Sequence, residues 1–200
     1  MYSSTIAVLW EEKVLQIING GKTKFSNDLN IIISEINIYL ATNEIEKAQS
    51  ILKIAIEKDP NNHILYYTVG SNYDKLSQKE DISEEQRATL ITEAKNAYQK
   101  AIEIKPDYFD AYYNLGALLY NEGVHIFSEA QKISPEDIKG YTEKEKEFKE
   151  TWKKSLPYLE KAHELDPNDI YTLNSLREVY SRLSMNDKFK EINEKLNQLK

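Results

Sequence analysis

The chain has 200 residues, 40% of them hydrophobic and 30% charged, which supplies enough apolar side chains for a core and places it outside the disordered class. It has no cysteine, which excludes disulfides, thiolate metal sites and a cysteine nucleophile. The formal charge is -7, with acids and bases interspersed, so no basic face is offered to a nucleic acid, and no run reaches the ~18 apolar residues of a membrane span.

The first stretch, "MYSSTIAVLWEEKV", lacks the basic flank, long apolar run and small-residue cleavage site of a secretory signal. Leu9, Trp10, Val14, Ile17 and Ile18 predict a helix over residues 4 to 20 that stops at "NGGKTKF". The triplet Gly21-Lys22-Thr23 matches the end of a phosphate-binding loop. Such a loop also needs a glycine at position 16, where Gln16 stands, and a strand ahead of it, where the pattern is helical. Gly20 and Gly21 therefore read as a helix terminus rather than a nucleotide site.

Further along, three segments are near copies: "AIEKDPNN" from Ala55, "AIEIKPDY" from Ala101 and "AHELDPND" from Ala162. Each predicts the end of an amphipathic helix closed by a proline, which has no N–H to continue the helix and pushes the preceding residue out of the helical region. The spacing Ala48, Leu52, Ala55, Pro60 recurs as Ala94, Tyr98, Ala101, Pro106. After the prolines, Tyr66, Val69-Gly70 and Tyr73 are matched by Tyr112, Leu115-Gly116 and Leu119, and again by Leu173, Leu176 and Tyr180. These intervals fall on one face of a helix, and the glycine and alanines let a neighbouring helix approach closely. Each unit is then a pair of antiparallel helices that buries its apolar face only by stacking on the next.

With these residues the chain resembles the tetratricopeptide repeat family, whose unit is about 34 residues long. The resemblance implies an all-α, right-handed superhelical solenoid of helix-turn-helix units. It sets the first repeat at 29–62, with Ile32, Ile36, Tyr39, Ala48, Leu52, Ala55 and Pro60 in register and Glu35 where an apolar residue is usual. The second covers 63–108, the third 109–169, and the fourth 170–200, where Arg177 replaces the glycine and the helix from about Asp187 to Leu199 is a polar cap. Val14, Ile18, Gly21 and Ser26 repeat the Ala48-to-Pro60 spacing, so residues 1–28 are expected to be the second helix of a partial preceding repeat in a longer array.

Pro60 and Pro106 are 46 residues apart, and Pro106 and Pro167 are 61 apart, about 12 and 27 beyond one unit. Both excesses lie between the helices of a pair. In the second repeat, Ser83 and Gln86 predict a capping box opening the second helix. In the third, the first helix is expected to run on through "NEGVHIFSEAQKI", with Val124, Phe127 and Ala130 inward. Ser134-Pro135-Glu136-Asp137 then reads as a cap, a first-turn proline and two acids, with Thr142 and Glu145 as another start. The result is an arm projecting by about 20 Å. Pro157 inside the returning helix predicts a bend.

Convergent chemistry is scarce. His63, His125 and His163 lack metal spacing, and no serine lies in a nucleophile elbow. Catalytic, cofactor and metal roles are therefore assigned to no residue. What remains is a surface. In the family the first helix of each repeat lines a concave groove for a peptide or protein. The resemblance places there Asn30, Ile33 and Asn37; Ile64, Tyr67, Ser71 and Asp74; Asp110, Tyr113, Ala117 and Tyr120; and Tyr171, Asn174 and Glu178. Among these, Asn37, Tyr67, Ser71, Asp74, Tyr113, Tyr120, Tyr171 and Asn174 are the candidate contacts, because tyrosine combines area, low ordering cost and a hydroxyl. Family members that clamp a chaperone's C-terminal carboxylate use basic and asparagine side chains. Here Ile33, Tyr67, Asp110 and Asn114 stand in those places and only Asn37 fits, so that clamp is not expected.

The function expected is a non-catalytic adaptor that binds through the groove or the arm. An accessory or regulatory domain of a larger envelope, secretion or enzyme complex is the alternative, and an RNA-binding helical repeat a weaker one. The pattern "LPYLEKAHELDPNDIYTLNSLREVYSRL" resembles repeat proteins of Gram-negative cell envelopes, which implies a periplasmic or envelope-associated setting, with the cytoplasm as the alternative.

Overall fold

A computed structural model describes residues 29–42 and 44–199; "NGGKTKF" and the helix expected over 4 to 20 lie outside them. The described residues form eight helices: α1 (Leu29–Ala41), α2 (Ile45–Lys58), α3 (His63–Ser77), α4 (Glu84–Ile104), α5 (Phe109–Ala130), α6 (Ile138–Leu165), α7 (Ile170–Arg182) and α8 (Asn186–Gln198). Consecutive helices pair as α1–α2, α3–α4, α5–α6 and α7–α8, and each pair stacks on the next through α2–α3, α4–α5 and α6–α7.

The three proline segments end their helices alike. Asp59, Lys105 and Asp166, each just before the proline, leave the helical region at φ -140, -130 and -133. Their N–H groups donate to the carbonyls of Ala55, Ala101 and Ala162 at 3.0, 2.9 and 2.9 Å, so the last turn is closed before the proline interrupts it. New helices then open on side-chain caps at Asn62, which accepts from the Ile64 N–H at 3.1 Å, and Asp169, which accepts from the Thr172 N–H at 2.7 Å.

The small residues act as the spacing requires. Ala48, Ala94, Ala101 and Ala162 are at most 2% exposed. A Cβ on Gly70 would lie 2.6 Å from Tyr98 Cδ1 of the paired helix, and one on Gly116 would lie 2.7 Å from Leu159 Cγ, so only hydrogen fits at either contact. The core falls into successive clusters, centred on Ile36 and Leu52, on Tyr98 and Leu115, and on Trp152, Leu159, Leu173 and Val179. Glu35, at the place where an apolar residue was expected, is itself 3% exposed.

Both lengthened hairpins are helical. The Ser83 hydroxyl accepts from the Gln86 N–H at 3.2 Å, and Gln86 Oε1 accepts from the Ser83 N–H at 2.9 Å, so the capping box is present. Arg87 reaches back to donate to the carbonyls of Ser77 and Lys79 and fastens the loop between α3 and α4. The longer hairpin departs from the expected cap. Residues 134 to 137 form a turn in which the Asp137 N–H donates to the Ser134 carbonyl at 2.9 Å, and α6 starts only at Ile138. Its cap is Asp137, whose carboxylate accepts from the Gly140 N–H at 2.9 Å; Ser134, Thr142 and Glu145 open no helix. A Cβ at position 140 would sit 2.8 Å from Asp137 Cγ, so a larger residue there would require the capping carboxylate to shift.

The arm is stitched internally. Phe127 meets Phe148 edge-on at 5.3 Å and Phe148 meets Trp152 at 4.9 Å, while Ala130 is fully buried. At 22 residues, α5 outreaches the 13-residue α7 by nine, or about 13 Å, somewhat less than the sequence led us to expect. Pro157 stands inside α6 at an exposed position and leaves the carbonyl of Lys153, also an exposed residue, without its helical donor.

Candidate functional site

The concave candidates sit on α1, α3, α5 and α7, and the structure separates those held in networks from those left open. Tyr98 belongs to α4, yet its ring slides past Gly70 and its hydroxyl shares hydrogen bonds with Ser71 and Asp74 of α3. Burial pushes the Asp74 carboxyl above its usual value, with Gln78 and Tyr98 hydrogen bonds opposing the shift, and burial also pushes the Tyr98 phenol strongly up. Asn114 donates to the Tyr67 hydroxyl at 3.0 Å, linking α5 to α3. The Tyr67 ring lies 5.3 Å from Tyr108 and 5.9 Å from Tyr98, and the Tyr108 phenol, raised first by burial, bonds Asp110. Ser71, Asp74 and Tyr67 are thus joined in one network of tyrosines and aspartates with Asn114.

The other candidates stand apart. Tyr113 stacks on Phe109 at 6.2 Å with the rings nearly parallel. Tyr120 accepts from Arg182 Nε at 3.0 Å, and Asn174 turns its amide back to the Ile170 carbonyl at 2.8 Å. Asn37 is exposed on α1, and Tyr171 is 72% exposed beside Ile170. Sequence reasoning gave Tyr98 and Arg182 no part in this face, and it placed Asn114 there only at a clamp position that it does not fit. The spacing places Tyr98 on a packing face, and nothing local announces that its hydroxyl emerges on the far side of a glycine.

The histidines lie on three separate helices. His63 meets the Tyr108 ring edge-on at 4.7 Å, His125 Nε2 is 3.6 Å from Glu84, and His163 is half-buried on α6. Burial pushes His63 and His163 below the usual imidazole value, with Lys105 and Lys195 respectively adding to the shift. Among the described residues no group of three histidine or acidic side chains is arranged to hold a metal ion, and no helix is long and apolar enough to cross a membrane.

The sequence profile of the family described as "TPR repeat" matches residues 91–123, from within α4 through the Pro106 turn into α5. Solved structures share the architecture. One described as "Crystal structure of MamA protein" is 17% identical, covers 98% of this chain and 86% of its own, and superposes with a TM-score of 0.62. A second MamA crystal structure is 20% identical over 90% of this chain and 85% of its own, with a TM-score of 0.56. A mutant form of MamA is 14% identical over 98% and 99%, also at 0.56. No curated protein matches the chain by sequence. The proline-closed helix pairs, their glycine and alanine contacts and the matched unit across Pro106 agree: the chain carries a tetratricopeptide repeat at residues 91–123 and has the fold of tetratricopeptide-repeat arrays.

Proposed function

We propose that the chain is a non-catalytic scaffold that holds a protein or peptide partner along the face formed by α1, α3, α5 and α7. The observation that carries this reading is the exposed apolar start of α7, where Tyr171 is 72% exposed and Ile170 52%, while on the preceding first helix Phe109 and Tyr113 stack on each other. Large side chains left in water at such positions complement a partner better than they serve the folded monomer. Stacked helix pairs of this kind present extended concave surfaces, and the charge of -7 favours a protein over a nucleic acid. The arm offers a second route, because Ile138 is 74% and Tyr141 36% exposed at its tip.

Affinity capture from the source cells distinguishes the two routes. The intact chain is compared with Tyr113→Ala/Tyr171→Ala and with a chain whose residues 124–148 are replaced by a short turn. Loss of the same partners from the double variant supports the concave face. Loss only from the shortened chain assigns binding to the arm, and undiminished capture by both sinks the proposal.

A further inference from the structure

Glu35 is a carboxylate only 3% exposed, on a helix that carries no basic residue of its own. An ion buried to this extent needs a cation or several donors beside it. Counting from the breaks between units shows which way it faces. The helices α3, α5 and α7 begin three residues after Pro60, Pro106 and Pro167, and α1 begins three residues after Ser26. Glu35 then stands nine residues after the break, where the later units hold Val69, Leu115 and Leu176. Each of those packs on the second helix of the unit before: Val69 with Leu52 and Ile56, Leu115 with Tyr98 and Ile102, and Leu176 with Leu159.

On α2, Val69 shares one cleft with Gln49, Leu52, Lys53 and Ile56, which lie eleven, eight, seven and four residues before Pro60. Carried back to Ser26, these places hold Leu15, Ile18, Asn19 and Lys22. Lys22 thus takes the place of Ile56, Ile102 and His163, and Glu35 takes that of Val69, Leu115 and Leu176. The two departures fall on facing positions and carry opposite charge. We propose that the face of α1 bearing Glu35 is the docking surface for residues 4–22 of this same chain, and that Lys22 closes on Glu35 as a buried ion pair. Seven residues separate Lys22 from the start of α1, as seven separate Ile56 from His63 and Ile102 from Phe109, so the connection has the length that later junctions use. The pair acts as a register key. Laid over Val69, Leu115 or Leu176, Lys22 meets no anion, so the segment fits α1 and not the later first helices. Asn37 lies two residues from Glu35, on another side of α1, so this face is independent of which concave residues bind a partner.

The test is hydrogen–deuterium exchange on the full chain, read at the amides of α1 with α7 as internal reference. Lys22→Met leaves the carboxylate without its cation and is expected to speed exchange in α1 by about tenfold or more, with α7 unmoved. Lys22→Met/Glu35→Leu replaces the ion pair by an apolar one and is expected to return exchange to within about twofold of the natural chain. Lys13→Met and Lys24→Met stand at other places in the register and are expected to change little. The inference is overturned if Lys22→Met leaves α1 unmoved, if the double variant is as disrupted as Lys22→Met, or if either of the other lysine changes acts as strongly. It is overturned as well if deleting residues 1–22 leaves α1 as protected as before, or if α1 loses protection on about hundredfold dilution, which gives the face to a second copy.

Discussion

The guanidinium carbon of Arg182 lies 5.0 Å from the centre of the Trp152 ring. Phe127 and Tyr120 complete the surround at 5.7 and 5.8 Å, and Arg182 Nε donates to the Tyr120 hydroxyl at 3.0 Å. The last turn of α7 is thereby fastened to the base of the arm, with a cation where the helix dipole favours one. Arg182→Ala is expected to lower stability by about 1–2 kcal/mol in thermal denaturation. Arg182→Lys is expected to recover little, because an ammonium has no plane to lay on the indole. In a Trp10→Phe background, Trp152 emission reports the same contact directly. A lysine variant as stable as the natural chain would remove the stacking account.

Gly70 and Gly116 test how closely the paired helices meet. An added methyl at Gly70 collides with the Tyr98 ring, whereas at Gly116 it also approaches the Leu159 backbone nitrogen at 3.1 Å. Each alanine variant should lose about 1–3 kcal/mol in urea unfolding, with Gly116→Ala the worse, since backbone yields less than a ring. Combining Gly70→Ala with Tyr98→Leu should cost less than the two separately. Strict additivity would mean that the two residues do not share the strain.

The helix starts give a contrast between neighbouring residues. Ser83→Ala removes half of the capping box and Asp137→Ala removes the cap of α6, so each should cost about 1 kcal/mol. Ser134→Ala should stay within about 0.5 kcal/mol, because its hydroxyl meets only the Glu136 N–H at 3.4 Å within a turn. Equal losses at Ser134 and Asp137 would restore the cap position suggested by the sequence.

Stability should fall as the solution is acidified through the imidazole range. Burial holds His163 on α6 below its ordinary value, Lys195 of α8 pushes the same way, and Glu191 and Glu164 oppose it. His63 is depressed likewise by burial and Lys105. The unfolded chain takes up these protons near the ordinary value of about 6.5, while the folded chain takes them up only at lower pH. Between the two values the unfolded state binds more protons, so stability is lost as pH falls through that window. His163→Gln/His63→Gln should flatten this part of the profile, read as urea midpoints from pH 7 to pH 5. An unchanged slope would assign it to other groups.

The repeat was legible because its signals are local: a proline ends each helix, and alanines and glycines recur on the face that meets a neighbour. Ser83 and Gln86 were equally plain, since both partners of the box lie within one turn. The arm's true cap was harder to see. Ser134 and Asp137 both offer capping side chains, and the choice rests on the turn formed between them. The concave face was legible as a list of positions but not as a set of available groups. Ser71 and Asp74 read as open polar residues, whereas a phenol from the adjacent helix passes a glycine to reach them.

In the two lengthened hairpins the helices stay in step although the connections differ. The bonds from Asp59, Lys105 and Asp166 back to the alanines, and the caps that follow, all sit at the proline end of the units, while the added residues lie at the opposite end. Pitch is set at one edge of the array and reach at the other. A protein built this way can gain or shed length at the hairpin tips without resetting how one pair seats on the next, so its outline is free to diverge while its frame stays the same.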